Sequence, residues 1–297
     1  MGHCRFVRIL PVLTAAAVIA SACGGAGEGG ATTTTALAAS SSTTTPSTTT
    51  PSPATTTTAA ATSTSRPFGS TLDQSVVVDA EGREAAVRCW GEGSPTFMLD
   101  TGSDSSGIDD YNEAAFTDEM VAQGTFCTYD RLGEGRSDDP PDQLRTADDV
   151  VDVLHAVIEE SGIETPLVLV GASFGGMIVT HHAATYPEDA AAVVLLDVPA
   201  PVAELPYPEL EWDHPTNKER LDIVDGFEGR FAESKSPIAV PLLVITADRG
   251  QSDTEDQSVW LEISENAVQV EVHGGHDIAS SSPEEVAAEI EAFLAGR

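Results

Sequence analysis

The chain is poor in basic residues. It has 14 Lys and Arg against 48 Asp and Glu among its 297 residues, which gives a formal net charge of −34 at pH 7. Lysine occurs only at Lys218 and Lys235, and nowhere do three basic residues follow one another. A phosphate backbone repels such a surface, so the composition excludes a general nucleic-acid binder. Charge of this size favours solubility and does not specify a fold.

Apolar residues are scarce in the stretch 24–66, which is built almost wholly from Gly, Ala, Ser, Thr and Pro. It has one leucine and no aromatic residue, so it cannot bury enough apolar surface to offset the entropy of ordering. We predict a disordered linker. Residues 67–297 hold 47 of the 48 acids and 11 of the 14 bases, a net charge of −36. Their length suits one α/β domain with a single core.

The N-terminal residues 1–23 are typical of an export signal. Arg5 and Arg8 precede an apolar run over 9–20 that is shorter than the roughly 18–20 residues needed to span a bilayer. The run ends in Ser-Ala-Cys-Gly, which resembles a bacterial lipobox, although Ala20 stands where that motif usually has Leu, Val or Ile. The resemblance implies lipidation of Cys23 and a protein held at the outer face of the cell membrane or cell wall. Plain secretion is the alternative.

Strand and helix patterns alternate through the domain. Helical periods cover Ala147–Glu160, Phe174–Tyr186, Asp253–Ile263 and Pro283–Leu294, and Ser282 is a plausible N-cap for the last of these. The alternation predicts a mostly parallel sheet with helices on both faces. The segment 200–238 contains five prolines and breaks the rhythm, which predicts a small cap insertion. Short β-branched runs predict eight strands, at residues 76–78, 85–89, 96–99, 125–129, 167–170, 193–196, 242–245 and 268–272.

The strongest chemical signal is Gly171-Ala172-Ser173-Phe174-Gly175. It lies between the apolar strand 167–170 and a helical stretch, which is the context that a nucleophile elbow requires. Glycines permit the tight turn, and the turn exposes the serine hydroxyl at a helix N-terminus, where partial positive charge favours a developing oxyanion. We predict Ser173 as a nucleophile.

A serine nucleophile needs a general base. His276 follows two glycines on a loop after the last strand, whereas His273 continues that strand. We assign His276 as the base, with His273 as its alternative. The other histidines of the domain have plainer explanations, because they lie within helices or in the cap: His155, His181, His182 and His214.

The base in turn needs an orienting carboxylate. Asp248 ends the strand 242–245 and its short extension, and catalytic groups gather at the carboxyl ends of parallel strands. We assign Asp248, with Asp197 at the end of the preceding strand as the alternative. Asp253 is more plausible as a helix cap.

With these residues in place, the chain resembles the α/β-hydrolase family over residues 74–296. Residues 129–138 are similar to a structural loop that follows the fourth strand in that family, and Gly275-His276-Asp277 is similar to the loop that carries its catalytic histidine. The resemblance implies the α/β-hydrolase fold, with an eight-stranded sheet. It also implies an oxyanion hole formed by the backbone N–H groups of Phe174 and Ser103. Relatives usually have His-Gly or Glu-x-Gly where this chain has Asp100-Thr101-Gly102-Ser103.

The same segment also reads like the active-site signature of aspartic proteases. Those enzymes need two such aspartates that share a proton, and the sequence has no second Asp-Thr/Ser-Gly. We therefore set this interpretation aside.

Cysteine is rare, with four residues in the whole chain. Cys89 and Cys127 fall in the second and fourth strands, which are neighbours in the sheet that the resemblance implies, and export would permit a disulfide between them. Two buried thiols are the alternative. We expect no metal, because no Cys/His cluster has ligand spacing, and no cofactor, because no Gly-rich loop has nucleotide-binding context.

Together the motifs predict a serine hydrolase that acts on a carboxylic ester through an acyl-enzyme intermediate. The expected partners are a small-molecule ester or amide and, through the lipid anchor, a membrane. A peptidase of the iminopeptidase type and a non-catalytic surface protein with a hydrolase-like fold are the alternatives.

Overall fold

The computed structural model describes residues 70–200, 212–221 and 236–296. The predicted signal peptide, Cys23 and the linker lie outside these residues, as does most of the predicted cap. Within the described part of the chain, no helix is both long and apolar enough to cross a membrane.

Eight strands form one sheet in the order β1-β2-β4-β3-β5-β6-β7-β8. Strand β2 pairs antiparallel with both β1 and β4, and every other neighbouring pair is parallel. The predicted α/β class with a mostly parallel eight-stranded sheet is therefore confirmed. The strands are β1 Ser70–Val77, β2 Glu84–Trp90, β3 Thr96–Asp100, β4 Thr125–Tyr129, β5 Leu167–Ala172, β6 Ala190–Leu196, β7 Leu242–Arg249 and β8 Ala267–Gly275.

Helices pack on both faces of the sheet, because successive strand residues point to opposite sides. Met98 belongs to the core that α3 and α4 cover, whereas its neighbours Phe97 and Leu99 belong to the core that α1, α2, α6 and α7 cover. The helices are α1 Gly107–Tyr111, α2 Ala115–Val121, α3 Ala147–Ser161, α4 Phe174–Thr185, α5 Thr254–Gln257, α6 Ile278–Ser281 and α7 Pro283–Ala295.

Local sequence explains where α3 begins and ends. Thr146 and Asp149 form a reciprocal capping box at its N-terminus. Gly162 ends the helix in the left-handed conformation at φ 68°, which glycine adopts without steric cost. The apolar side of the helix, which includes Val150 and Leu154, is buried against the sheet.

The structure corrects two details at helix ends. The predicted helix Asp253–Ile263 is split into α5 and a 3₁₀ helix over Ser258–Ile263. The tighter helix buries Trp260, whose indole N–H donates to the carbonyl of Pro199 at 3.1 Å. Ser282 precedes α7 without capping it, because its hydroxyl donates instead to the carbonyl of His273.

Cys89 and Cys127 face each other in the antiparallel pair of β2 and β4 and are joined by a disulfide. This is the pairing predicted for them. It joins two residues that lie 38 positions apart in the sequence and ties the antiparallel edge of the sheet to its parallel part.

Candidate active site

Ser173 stands at the turn between β5 and α4, and its backbone is in an unusual conformation with φ 51° and ψ −122°. Two neighbouring glycines make this turn possible. A Cβ on Gly171 would collide with the backbone of Gly176, and a Cβ on Gly175 would collide with the carbonyl of Asp100. The backbone strain persists because the surrounding structure fixes it, and it holds the hydroxyl of Ser173 at the start of α4.

His276 follows β8 and reaches the serine. Its Nε2 lies 2.8 Å from the Oγ of Ser173, and its Nδ1 lies 2.6 Å from an oxygen of Asp197. An ionised carboxylate can only accept a hydrogen bond, so beside one Nδ1 is the donor, which leaves Nε2 to accept from the serine hydroxyl. The structure thus brings together the predicted Ser173 and His276 with the acid that the sequence offered as an alternative.

The assignment of Asp248 as the orienting carboxylate is wrong in this structure. Asp248 lies in β7 beside β8, and its side chain pairs across the strands with His273, at 2.6 Å from Nδ1. The Gly274 amide, donating at 2.9 Å, and the His273 imidazole hold the pKa of the Asp248 carboxyl below its ordinary value. His273, the alternative base, has a side chain that is 70% exposed, and its ring nitrogens contact Asp248 and Arg249.

Backbone geometry explains why Asp197 reaches His276 when Asp248 does not. Asp197 directly follows β6 with φ 47°, a left-handed conformation that turns its side chain out of the strand direction. Asp248 stays within β7, at the point where the pairing of β7 with β8 shifts register between Ala247 and Arg249. The two acids thus stand at the ends of adjacent strands with different backbone geometry.

Asp197 is fully buried, and donors surround its carboxylate. The Ala247 amide donates at 3.1 Å, the Gln251 amide at 3.3 Å and the Gln257 side-chain amide at 2.8 Å. Gln257 is itself buried and accepts from the hydroxyl of Thr246 at 3.0 Å. Sequence reasoning missed Gln257, since a glutamine inside a predicted helix gives no sign of pointing inward.

The loop predicted to supply half of an oxyanion hole runs beside the nucleophile. A Cβ on Gly102 would lie 3.5 Å from the Cβ of Ser173, so the loop backbone approaches the serine closely. Ser103 follows Gly102 and lines the cavity next to Ser173. Phe174 is the first residue of α4. Both residues are therefore near the position that an oxyanion would take, and their roles as donors remain predictions.

Arg131 holds this loop in place. Its guanidinium donates to the carbonyls of Thr101 and Gly102, each at 2.8 Å, and to a carboxylate oxygen of Asp100 at 2.7 Å. The same group binds both carboxylate oxygens of Glu219, at 2.8 and 2.9 Å. Such planar, bidentate contacts are particular to arginine. Arg131 thus links the loop beside Ser173 to the described segment 212–221.

Asp100 belongs to this buried network. Its other carboxylate oxygen accepts from the phenol of Tyr129 at 2.6 Å. Burial raises the pKa of Asp100 to about 6, and the charge of Arg131 opposes that shift. Asp100 is therefore a buried anchor for the loop.

A cavity of about 560 Å³ opens beside Ser173 and His276. Its walls combine apolar side chains with two carboxylates. The lining includes Tyr111, Leu196, Ile278, Asp110 and Asp277. A substrate carbonyl can reach Ser173 from this cavity. Its described lining residues include no lysine or arginine.

Comparison with known proteins agrees with this architecture. A profile of the alpha/beta hydrolase fold matches residues 113–248. Among solved structures, a predicted CIB-like hydrolase from Thermoplasma acidophilum superposes with a TM-score of 0.58 at 16% identity, over 77% of this chain and 100% of that one. The chain has the α/β-hydrolase fold.

Curated relatives match this chain over shorter stretches. Lipase LipV of Mycobacterium tuberculosis (strain ATCC 25618 / H37Rv) is 46% identical over 68 residues, which are 23% of this chain and 25% of the lipase. The (Lyso)-N-acylphosphatidylethanolamine lipase of Mus musculus is 35% identical over 83 residues, which are 27% of this chain and 24% of that protein. Each match thus spans about a quarter of the relative's length.

Proposed function

We propose that this protein is a serine hydrolase that cleaves carboxylic esters through an acyl-enzyme intermediate. The observation that carries the proposal is the continuous chain of contacts from Ser173 through His276 to Asp197, at 2.8 and 2.6 Å, at the edge of an open cavity. A nucleophile within hydrogen-bond reach of a base, with the base held by a third group, is the arrangement that acyl transfer requires.

In the first half-reaction the Oγ of Ser173 attacks the ester carbonyl carbon, and its proton passes to Nε2 of His276. The carbonyl oxygen becomes an oxyanion, which backbone N–H groups of Ser103 and Phe174 stabilise. The tetrahedral intermediate then collapses. The bond to the alcohol oxygen breaks, and that oxygen takes the proton from His276 as the alcohol leaves.

In the second half-reaction water attacks the acyl carbon, and His276 accepts its proton. The bond between the acyl carbon and Oγ of Ser173 then breaks, so that the carboxylic acid leaves and His276 returns the proton to Oγ. Asp197 stabilises the imidazolium that forms twice in the cycle and fixes which nitrogen faces the serine. The route needs no cofactor.

An ester is the preferred substrate because an alcohol leaves more readily than an amine. The two curated relatives, both named as lipases, support the same choice. A peptidase of the iminopeptidase type would use the same triad on an amide bond. Turnover of aryl esters and of N-terminal prolyl peptides, measured side by side, separates the two.

A serine-directed organophosphonate tests the proposal directly. The wild type should bind one phosphonyl group covalently, detected by intact-protein mass spectrometry, because His276 activates the hydroxyl of Ser173. Ser173→Ala should bind none, and the control Ser105→Ala, which alters another serine of the cavity wall, should react like the wild type. An unlabelled but folded wild type would instead support a non-catalytic binding protein.

We further propose export and lipid anchoring at Cys23, on the sequence pattern alone. Cys23→Ser should release the protein from the membrane fraction of a bacterial host. A wild type found only in the medium would favour plain secretion.

A further inference from the structure

A second group of chemically active side chains lies among α3, α4 and the turn before β6. His155 comes from α3, His182 from α4 and Asp189 from the residue before β6. One ligand atom from each lies within 4.8 Å of the others. Nδ1 of His155 is 2.8 Å from an oxygen of Asp189, and Nε2 of His182 is 3.4 Å from the same oxygen. None of the three belongs to the proposed triad.

His182 is the member that needs an explanation. It is fully buried, and neither of its ring nitrogens makes a hydrogen bond to any described residue. The 3.4 Å approach of Nε2 to Asp189 is close enough for an ion pair but does not form a hydrogen bond. Burying an imidazole without partners costs free energy, so such groups are rare unless something satisfies them.

We propose that His155, His182 and Asp189 form a binding site for a single Zn²⁺ ion. Two imidazoles and one carboxylate are ligands that zinc takes readily, whereas calcium and magnesium favour oxygen alone. The proposal is independent of the hydrolase function, because the site uses other residues on other parts of the fold.

Two of the three distances between ligand atoms are near those around a tetrahedral ion, and the third, between His155 and His182, is at most 4.8 Å. With zinc bonds of about 2.0–2.2 Å, neighbouring ligand atoms lie roughly 3.4 Å apart. The pair at 3.4 Å already has that spacing. The pair at 2.8 Å must open slightly, as the ion replaces the hydrogen bond between His155 and Asp189. The side chain of His155 is 28% exposed, so water can complete the coordination from the surface.

No linear motif announces this site, which is why sequence analysis predicted no metal. The ligands lie 27 and 7 residues apart along the chain, and only the packing of α3 on α4 brings them together. A bound ion would tie both helices to the start of β6 and so stabilise the face of the sheet behind the elbow.

Equilibrium dialysis of the full-length chain against ZnCl₂ tests the proposal, with protein purified without a polyhistidine tag. We expect one tightly bound Zn²⁺ per chain and a rise in Tm with zinc concentration, as linkage requires. His155→Gln and Asp189→Asn should each weaken zinc affinity by at least about tenfold. His155→Gln alters a partly exposed residue, so it tests the site even where Asp189→Asn does not fold.

Two controls exclude other imidazoles. His181→Gln changes the neighbouring residue of α4, which contacts Asp148 instead, and it should keep full zinc binding. A variant with His273→Gln and His276→Gln should also keep it. The proposal would be overturned if the wild type bound no stoichiometric zinc. It would also be overturned if each of the single variants His155→Gln and Asp189→Asn kept the zinc affinity of the wild type.

Discussion

Two aspartates that stand at similar positions, each at the end of a strand, have very different surroundings. Asp197 and Asp248 both stand at the carboxyl ends of central strands and both precede the histidine, so sequence order could not choose between them. Asp197 is buried with three protein donors in addition to His276, whereas Asp248 is exposed and pairs with His273. A buried carboxylate with fixed donors holds an imidazole in one orientation better than a mobile surface pair.

The hydrogen bond from Gln257 to Asp197 should matter for catalysis. Gln257→Met should lower kcat about tenfold and leave KM nearly unchanged, because one of the hydrogen bonds that position Asp197 is lost. Steady-state kinetics on an aryl ester measures kcat and KM separately. The matched control is Gln269→Met, which removes a side chain that contacts Thr246 and not Asp197. An unchanged kcat in a folded Gln257→Met protein would argue against a positioning role.

Among the elements, the strand–turn–helix over β5 and α4 could be predicted almost completely. Its glycines, buried strand and following helix all appear as local pattern. The stretch 253–263 could not, because the choice between an α-helix and a 3₁₀ turn depends on the burial of Trp260 against Pro199, a contact with a distant part of the chain. The clamp formed by Arg131 and Glu219 was missed for the same reason, since 88 residues separate its partners.

The tight turn between β5 and α4 should not tolerate a side chain at Gly171. Gly171→Ala should lower both stability, by about 1–3 kcal/mol, and kcat/KM, because the added methyl collides with the backbone of Gly176 and shifts Ser173. The control is Gly162→Ala at the end of α3, where a Cβ meets nothing within 4 Å but the φ of 68° is unfavourable. It should lose about 1 kcal/mol of stability and keep wild-type kinetics. Equal kinetic losses in both variants would contradict this.

At the scale of the molecule, the net charge of −34 and the carboxylates of Asp110 and Asp277 on the cavity wall should select against anionic substrates. At low salt, kcat/KM for an anionic ester should fall below that of a matched neutral ester. Salt should reduce the difference, because the screening length is only about 8 Å at physiological ionic strength.

Two variants separate the effect of a carboxylate on the cavity wall from the effect of the net charge of the protein. Asp110→Asn should reduce severalfold the ratio of kcat/KM for the neutral ester to kcat/KM for the anionic ester. Glu291→Gln removes one exposed charge from α7 and should leave that ratio unchanged. Equal or faster turnover of the anionic ester by the wild type at low salt would refute the charge argument.

The proposed triad requires Ser173, His276 and Asp197 to act as one unit, which the kinetics of two isosteric variants can show. Asp197→Asn should lower kcat/KM on a neutral ester by roughly 10³–10⁴-fold, because the amide favours the wrong imidazole tautomer. Asp248→Asn removes an equal charge from the neighbouring strand end and should stay within a few-fold of the wild type. The reverse pattern, with Asp248→Asn inactive and Asp197→Asn active, would mean that Asp248 and not Asp197 orients His276.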